Sequence, residues 1–476
     1  MRIQKRRGLG RVFSVGRALT LGAALPLLAA PAPAQAPTAA PSLTRLGDLY
    51  AGVQRDNPRI TAARALVRAA DARVPGAKRP PDPQLQLGFM NYSLPGLAPM
   101  PTLGMTQLQL MQMVPLGGKL RLAGRVAGAQ AAAVGERASD VVWEVRNSTA
   151  MAFYDLYATD RQLDVARETL RLLKDVALTA ESMYRVGQGR QADVLRAQVE
   201  IARMAADTLR MQAMRETMVA RLNALMNRDA TSVVGTPALP TFPVALPPRE
   251  WLDSIAGGTR PMIRAGLEDV RAAEASAALA RRELIPDLQV GVQYAQRGAT
   301  MTTVDASGAP MSERTTERMG SLMLGVTIPI FARDRQLQMR AEANAMRAMA
   351  EADVAAMRAE TRGKIGEAYA ALNRSRNLAT LYRTTVLPQA EATVASAMSA
   401  YRSGSVDFMT LLDDRMTVNK YRQELSVLEG DEGKAWAELE MLTGSELLEA
   451  TAIGGVPNGT TKSPNQRAVQ ATRGVQ

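Results

Sequence analysis

The chain repeats itself. Pro58-Arg59-Ile60 recurs as Pro261-Met262-Ile263, and the same shift of 203 residues carries Pro83-Gln84-Leu85-Gln86-Leu87-Gly88 onto Pro286-Asp287-Leu288-Gln289-Val290-Gly291. Pro115 then matches Pro329 at a shift of 214, and Tyr184-Arg185-Val186-Gly187 matches Tyr401-Arg402-Ser403-Gly404 at 217. A tandem duplication constrains the fold before any local preference is read, because whatever unit one copy builds the other must build too. Most of the drift in shift falls between Gly291 and Pro329, where copy two is 11 residues longer, and this predicts a longer loop near Gly298 to Arg318.

Copy one spans residues 41–232 and copy two 249–444, joined by a linker at 233–248 that holds five prolines. Each copy reads as short helix, strand, loop, strand, very long helix, turn and a further long helix. Leu85, Leu87 and Phe89 alternate with Gln84, Gln86 and Gly88, and Leu108 and Leu110 alternate with Gln107 and Gln109. Copy two repeats this with Leu288, Val290, Val292 and Tyr294, then with Leu322, Leu324, Val326 and Ile328. Period two with one apolar face marks strands, here at about 84–94, 104–114, 287–297 and 319–329. Runs of about ten residues suit a tilted transmembrane barrel strand, and they suit the hairpin of a soluble sandwich as well, so the strands alone leave both open.

The helices are more decisive. From Gly118 to about Val186 there is no proline, and Val142, Thr149, Leu156, Leu163, Leu170, Ala177 and Tyr184 recur every seven residues. Val145, Ala152, Thr159, Ala166, Leu173 and Ala180 form a second seam three residues on. Two seams sustained over this length specify a coiled coil, with a helix at 118–186 on the order of 100 Å long. Copy two shows Ile365, Leu372, Ala379 and Val386 at the same spacing within 333–402, where Pro388 imposes a kink. Gly187, Gly189 and Gly404 mark the reversals into the following helices at 190–227 and 406–443.

The chain ends read differently. Residues 1–34 carry Arg2, Lys5, Arg6, Arg7 and Arg11, then an apolar run and small residues, the order of a secretory signal peptide cut after Ala34. No segment offers about 20 uninterrupted apolar residues, so any membrane-spanning part has to be a β-barrel. The formal charge of +12 falls to +6 once the six basic residues of the leader are removed, which argues against a nucleic-acid partner. Cysteine and histidine are both absent. That excludes disulfides, thiolate metal sites and an N-terminal lipid anchor on cysteine, and it removes the commonest general base. No cofactor or catalytic constellation is expected. Residues 445–476, rich in Gly, Thr, Asn and Pro, read as a disordered tail.

Two motifs invite chemistry. Gly117-Gly118-Lys119 resembles part of a phosphate loop, yet Met113 and Leu120 stand where that loop needs Gly and Ser or Thr. The better reading is a corner, in which Pro115 ends the strand, the glycines turn, and Lys119 sits at the membrane interface; Pro329 marks the same corner in copy two. Asp413 and Asp414 lie inside the helix after Gly404, and Asp193 lies six residues after Gly187. Carboxylates near helix starts are ordinarily solvated groups that favour the dipole, but around a three-fold axis a single inward Asp becomes a ring of three that selects cations.

The leader, duplicated unit, two strand pairs, two helices of about 100 Å and Gly-containing turns together resemble the TolC family of outer-membrane efflux proteins. The most specific pieces are Val326-Thr327-Ile328-Pro329-Ile330-Phe331, Tyr401-Arg402-Ser403-Gly404 and Pro115-Leu116-Gly117-Gly118-Lys119. The resemblance implies a mixed α and β membrane protein, a homotrimer whose four strands per chain close a twelve-stranded barrel in outer-membrane lipid. A periplasmic barrel of long helices continues it, with a tip that docks an adaptor and an inner-membrane pump. It further implies a periplasmic gate at Asp413, Asp414, Tyr401 and Asp193, with Tyr401 and Asp193 on two sides of an inter-repeat contact. Thr410 and Val406 stand where some members carry a second aspartate and an arginine. Adaptor docking falls to the tips at Gly187, Gly189 and Gly404. The rival reading is a periplasmic adaptor or coiled-coil scaffold, which has no reason to duplicate ten-residue strands with apolar faces.

Overall fold

The computed structural model describes residues 43–448 apart from 94, 97, 101–103 and 305; the leader falls outside that range. Copy one begins with α1 (Leu46–Asp56) and α2 (Pro58–Ala77), the latter started by Asn57, whose side chain accepts from the backbone N–H groups of Arg59 and Ile60. Strand β1 (Gln84–Met90) follows. It is shorter than the alternation predicts because Asn91 adopts a left-handed φ of 55° and diverts the chain into a small pair, β2 (Tyr92–Ser93) with β3 (Ala98–Pro99). β4 (Met105–Val114) leads into α3 (Lys119–Arg185), whose 67 residues span about 100 Å, and α4 (Gln191–Leu225) returns along it.

Copy two supplies α5 (Arg249–Thr259), α6 (Pro261–Arg282), β5 (Leu288–Val304), β6 (Pro310–Val326), α7 (Gln336–Leu381), α8 (Leu387–Arg402) and α9 (Phe408–Thr443). The linker has no helix or strand of its own, though Thr44 and Pro237 form an isolated parallel bridge. Two expectations need correction here. The extra residues of copy two are not a loop: β5 and β6 pair continuously from Leu288 with Val326 to Val304 with Pro310. β-branched Thr303, Val304, Thr315 and Thr316 favour extended backbone, and Gly308 at φ 80° makes the tight turn. The tail is not wholly irregular either. Leu448 is buried, and Glu440 Oε1 accepts from the backbone N–H groups of Leu447 and Leu448 at 2.9 and 3.0 Å, so residues 445–448 fold back on α9 while 449–476 lie outside the described range.

Between α7 and α8 the chain makes a π-helical turn, Tyr382–Val386, in which the Leu387 N–H donates to the Tyr382 carbonyl five residues back. Pro388 follows at once. Proline cannot donate and crowds the carbonyl four residues earlier, and a wider turn relieves both problems. Before the turn, buried Ala152 and Leu156 correspond to buried Ala368 and Leu372 at a shift of 216; after it, Ala180 corresponds to Ala397 at 217. The π turn is thus one inserted residue.

The sheet order is β1-β4-β5-β6, antiparallel throughout, with β1 and β6 as open edges. Two clusters hold the helices together. One gathers Phe153, Tyr154, Leu156, Leu222, Leu252 and Trp436 where α1, α5 and the linker meet α3 and α9. The other gathers Leu173, Ala180, Ala197, Tyr401, Phe408 and Leu411 near the helix reversals. No helix among the described residues is long and apolar enough to cross a membrane.

Candidate functional site: a two-faced sheet, its corners and the helix reversals

Residues paired across neighbouring strands share a face, so the register sorts every side chain of the sheet. One rung runs Leu85, Leu110, Val292, Leu322, and the next runs Gln86, Gln109, Gln293, Ser321. The apolar rungs are uncovered: Leu85, Leu87, Leu322 and Leu324 are 61 to 70 % exposed. The opposite face is largely amide, with Gln293 Nε2 donating to Gln107 Oε1 at 2.6 Å. A soluble sheet buries its apolar face, whereas a barrel in lipid turns that face outward and keeps the polar one for its lumen.

At the corner after β4, Gly117 and Gly118 both take left-handed φ values, 69° and 74°, and a Cβ on Gly117 would strike the Ile285 side chain. Lys119 does not reach toward an interface as expected. It turns inward, 6 % exposed, with Nζ 2.8 Å from Asp287 Oδ1 and 3.5 Å from Glu283 Oε2. Burying a charge of this kind requires such partners. At the second corner Pro329 stands between Ile328 and Ile330, which with Phe331 are all exposed.

The two helix reversals are built alike. Gly187 (φ 75°) donates its N–H to Tyr184 O and Gly404 (φ 74°) to Tyr401 O, both at 3.0 Å. Gly189 is needed for a different reason, since a Cβ there would lie 2.9 Å from the Tyr184 nitrogen. The equivalent tyrosines part company: Tyr184 is half exposed, while Tyr401 is buried edge-on against Phe408 with ring centroids 5.8 Å apart. Burial, and then the Asp193 charge, push the Tyr401 phenol above its ordinary value. The Tyr401 hydroxyl is buried with no hydrogen-bond partner, so phenol and carboxylate are not bonded in this conformation.

Asp413 is exposed and Asp414 half-buried, and neither makes a hydrogen bond or ion pair among the described residues. The carboxylate that is engaged is Asp407, which sequence reasoning passed over. Its Oδ1 accepts from the backbone N–H of Thr410 at 3.1 Å and from the Thr410 hydroxyl at 2.6 Å. Those bonds, with lesser help from Arg190 and Arg196, hold Asp407 below the usual carboxylate range. An Asp just before an apolar helix start was the available signal.

Residues 49–228 and 254–445 match the family described as outer membrane efflux protein. No curated protein matches by sequence. Among solved structures, CusC superposes with a TM-score of 0.71 at 17 % identity, covering 84 % of this chain and 92 % of that one. VceC of Vibrio cholerae gives 0.69 at 17 %, covering 85 % and 97 %. The open state of MtrE of Neisseria gonorrhoeae gives 0.65 at 17 %, covering 85 % and 89 %. These likenesses concern the fold.

Proposed function

Because the chain belongs to the outer membrane efflux protein family, we propose that it is the outer-membrane duct of a tripartite efflux or type I secretion system, a passive conduit for solutes. The observation that carries the reading is the uncovered apolar face of a four-stranded sheet with two open edges. β1 and β6 run in opposite directions, so β6 of one copy can pair antiparallel with β1 of the next. Three copies then give twelve strands and leave no edge.

The helices support the same assembly. On α4, Leu195, Val199 and Leu209 are exposed at 53, 64 and 67 %. Their copy-two equivalents at the shift of 217 are Leu412, Met416 and Ser426, and α9, which carries these, packs along α3 of the same chain. A seam that is covered in one copy and bare in the other fits a neighbour's helices, as a closed ring of coiled coils requires. In the assembly the helix reversals at Gly187, Gly189 and Gly404 form the periplasmic tip that meets an adaptor and an inner-membrane pump, and Asp413 with Asp414 lines the tip as rings of carboxylates. Tyr401 and Asp193 close it in a conformation that brings the phenol to the carboxylate.

Reconstitution of the purified protein in a planar bilayer tests the proposal. Stable steps of conductance from a detergent-extracted trimer are expected. A wild-type protein that stays soluble and monomeric without detergent, or that never conducts, overturns it.

A further inference from the structure

Within the four-stranded part of the sheet every methionine falls on one face. Met90, Met105, Met111, Met113, Met319 and Met323 all share the parity of Gln86, Gln109 and Gln293, and none shares that of Leu85, Leu110, Val292 and Leu322. The glutamines are what a water-filled lumen calls for. The thioethers are not. Methionine usually fills irregular gaps in cores, but among the described residues no helix packs as a second layer on this sheet.

Two of these side chains converge. Met111 and Met323 flank Gly291 in one rung. A Cβ built on Gly291 would lie 3.3 Å from Met111 Cγ and 3.5 Å from Met323 Cε, so both side chains lean over the one position of the rung that carries nothing. The chemistry of the face narrows what they could hold. It has no aromatic ring, and its charges are confined to Arg297 and Glu317, which are paired at 2.8 Å, so an organic cation finds neither a ring nor a free carboxylate there. Hard cations prefer oxygen, whereas thioethers are soft donors. With cysteine and histidine absent from the whole chain, methionine is also its sole soft side chain.

We propose that Met111 and Met323 form a thioether site for soft monovalent cations on the inner wall of the barrel, one per copy. Access from the lumen rests on the duct reading; the placement of Met111 and Met323 on either side of Gly291 does not.

The probe is Ag⁺ in nitrate electrolyte, with Met111→Leu and Met323→Leu made singly and together, since leucine keeps the volume. Calorimetry on the detergent-extracted protein should show Ag⁺ binding that K⁺ does not compete for and that weakens about tenfold or more in the double variant. Each single variant, checked for intact trimer, should already lose most of it. Wild-type protein that binds no Ag⁺, or a double variant that binds it equally well, overturns the site. Conductance without Ag⁺ tests the duct separately, because a chain that fails to conduct yet loses Ag⁺ binding with these substitutions sinks the duct and keeps the site.

Discussion

Lys119 Nζ reaches 2.8 Å from Asp287 Oδ1, joining the first residue of the copy-one long helix to the residue that precedes the first strand of copy two. The same oxygen accepts from the Leu116 backbone N–H at 3.4 Å, so one carboxylate ties both ends of the corner after β4 to the start of β5. Replacing Lys119 by Met should therefore cost about 2 kcal/mol, the range for a charge-assisted bond with a partly solvated partner left behind. Urea unfolding of the extracted protein reads it, and Asp287→Asn should cost less because the acceptor oxygen remains.

The two faces of the sheet predict opposite tolerance to charge. Leu324→Arg, on the uncovered apolar face, should destabilise the barrel by about 2 to 4 kcal/mol in lipid, while Met323→Arg on the other face should cost far less. Heat stability of the trimer in liposomes separates them. Equal effects would contradict the assignment of faces.

Tyr401→Phe should leave stability unchanged or raise it by up to about 1 to 3 kcal/mol, because it removes a buried hydroxyl that has no partner. If the phenol bonds to Asp193 in a closed conformation, the same variant raises the open probability in single-channel recordings, and Asp193→Ala does likewise without adding to it. Additive effects would show that the two residues act apart.

Asp413→Ala should weaken block of the channel by divalent cations added on the side of the helix reversals, and it should lower cation preference. Bi-ionic reversal potentials measure this. No change would return Asp413 to an ordinary solvated carboxylate.

Glu440 supplies the pH dependence. Burial drives its carboxyl above the ordinary value of 4.5, against the opposing pull of Arg146 and the Leu447 and Leu448 N–H groups. The folded state therefore binds a proton that the unfolded chain has released, and stability is greater at acid pH and declines as pH rises through the raised value. Glu440→Gln keeps an acceptor for the two N–H groups and should flatten that part of the curve. Thermal unfolding of the two proteins between pH 4 and 8 compares them.

Much of this was legible in the sequence, and the physical reason differs from element to element. The long helix Lys119–Arg185 follows from heptads without proline, a signal repeated so often that local errors average out. The strand faces follow from period two. What stayed hidden depended on contacts between distant segments. Lys119 looked like an interface residue because its partners are 164 and 168 positions away. The extended hairpin was hidden because threonine-rich, weakly alternating sequence does not distinguish paired strand from loop. At the helix reversals the glycines were readable from their turn chemistry, whereas the orphaned Tyr401 hydroxyl depends on how α8 and α9 pack.

The single inserted residue at Tyr382–Val386 bears on the phase of the helix. In an unbroken α-helix one extra residue turns everything beyond it by about 100°, which would swing Ala397 and Tyr401 off the face that α9 covers. Absorbing the insertion in one widened turn confines that error to five residues, so the helix gains a residue without losing its phase against α9. Length and phase are thereby uncoupled, so the two repeats differ in length while corresponding faces stay buried.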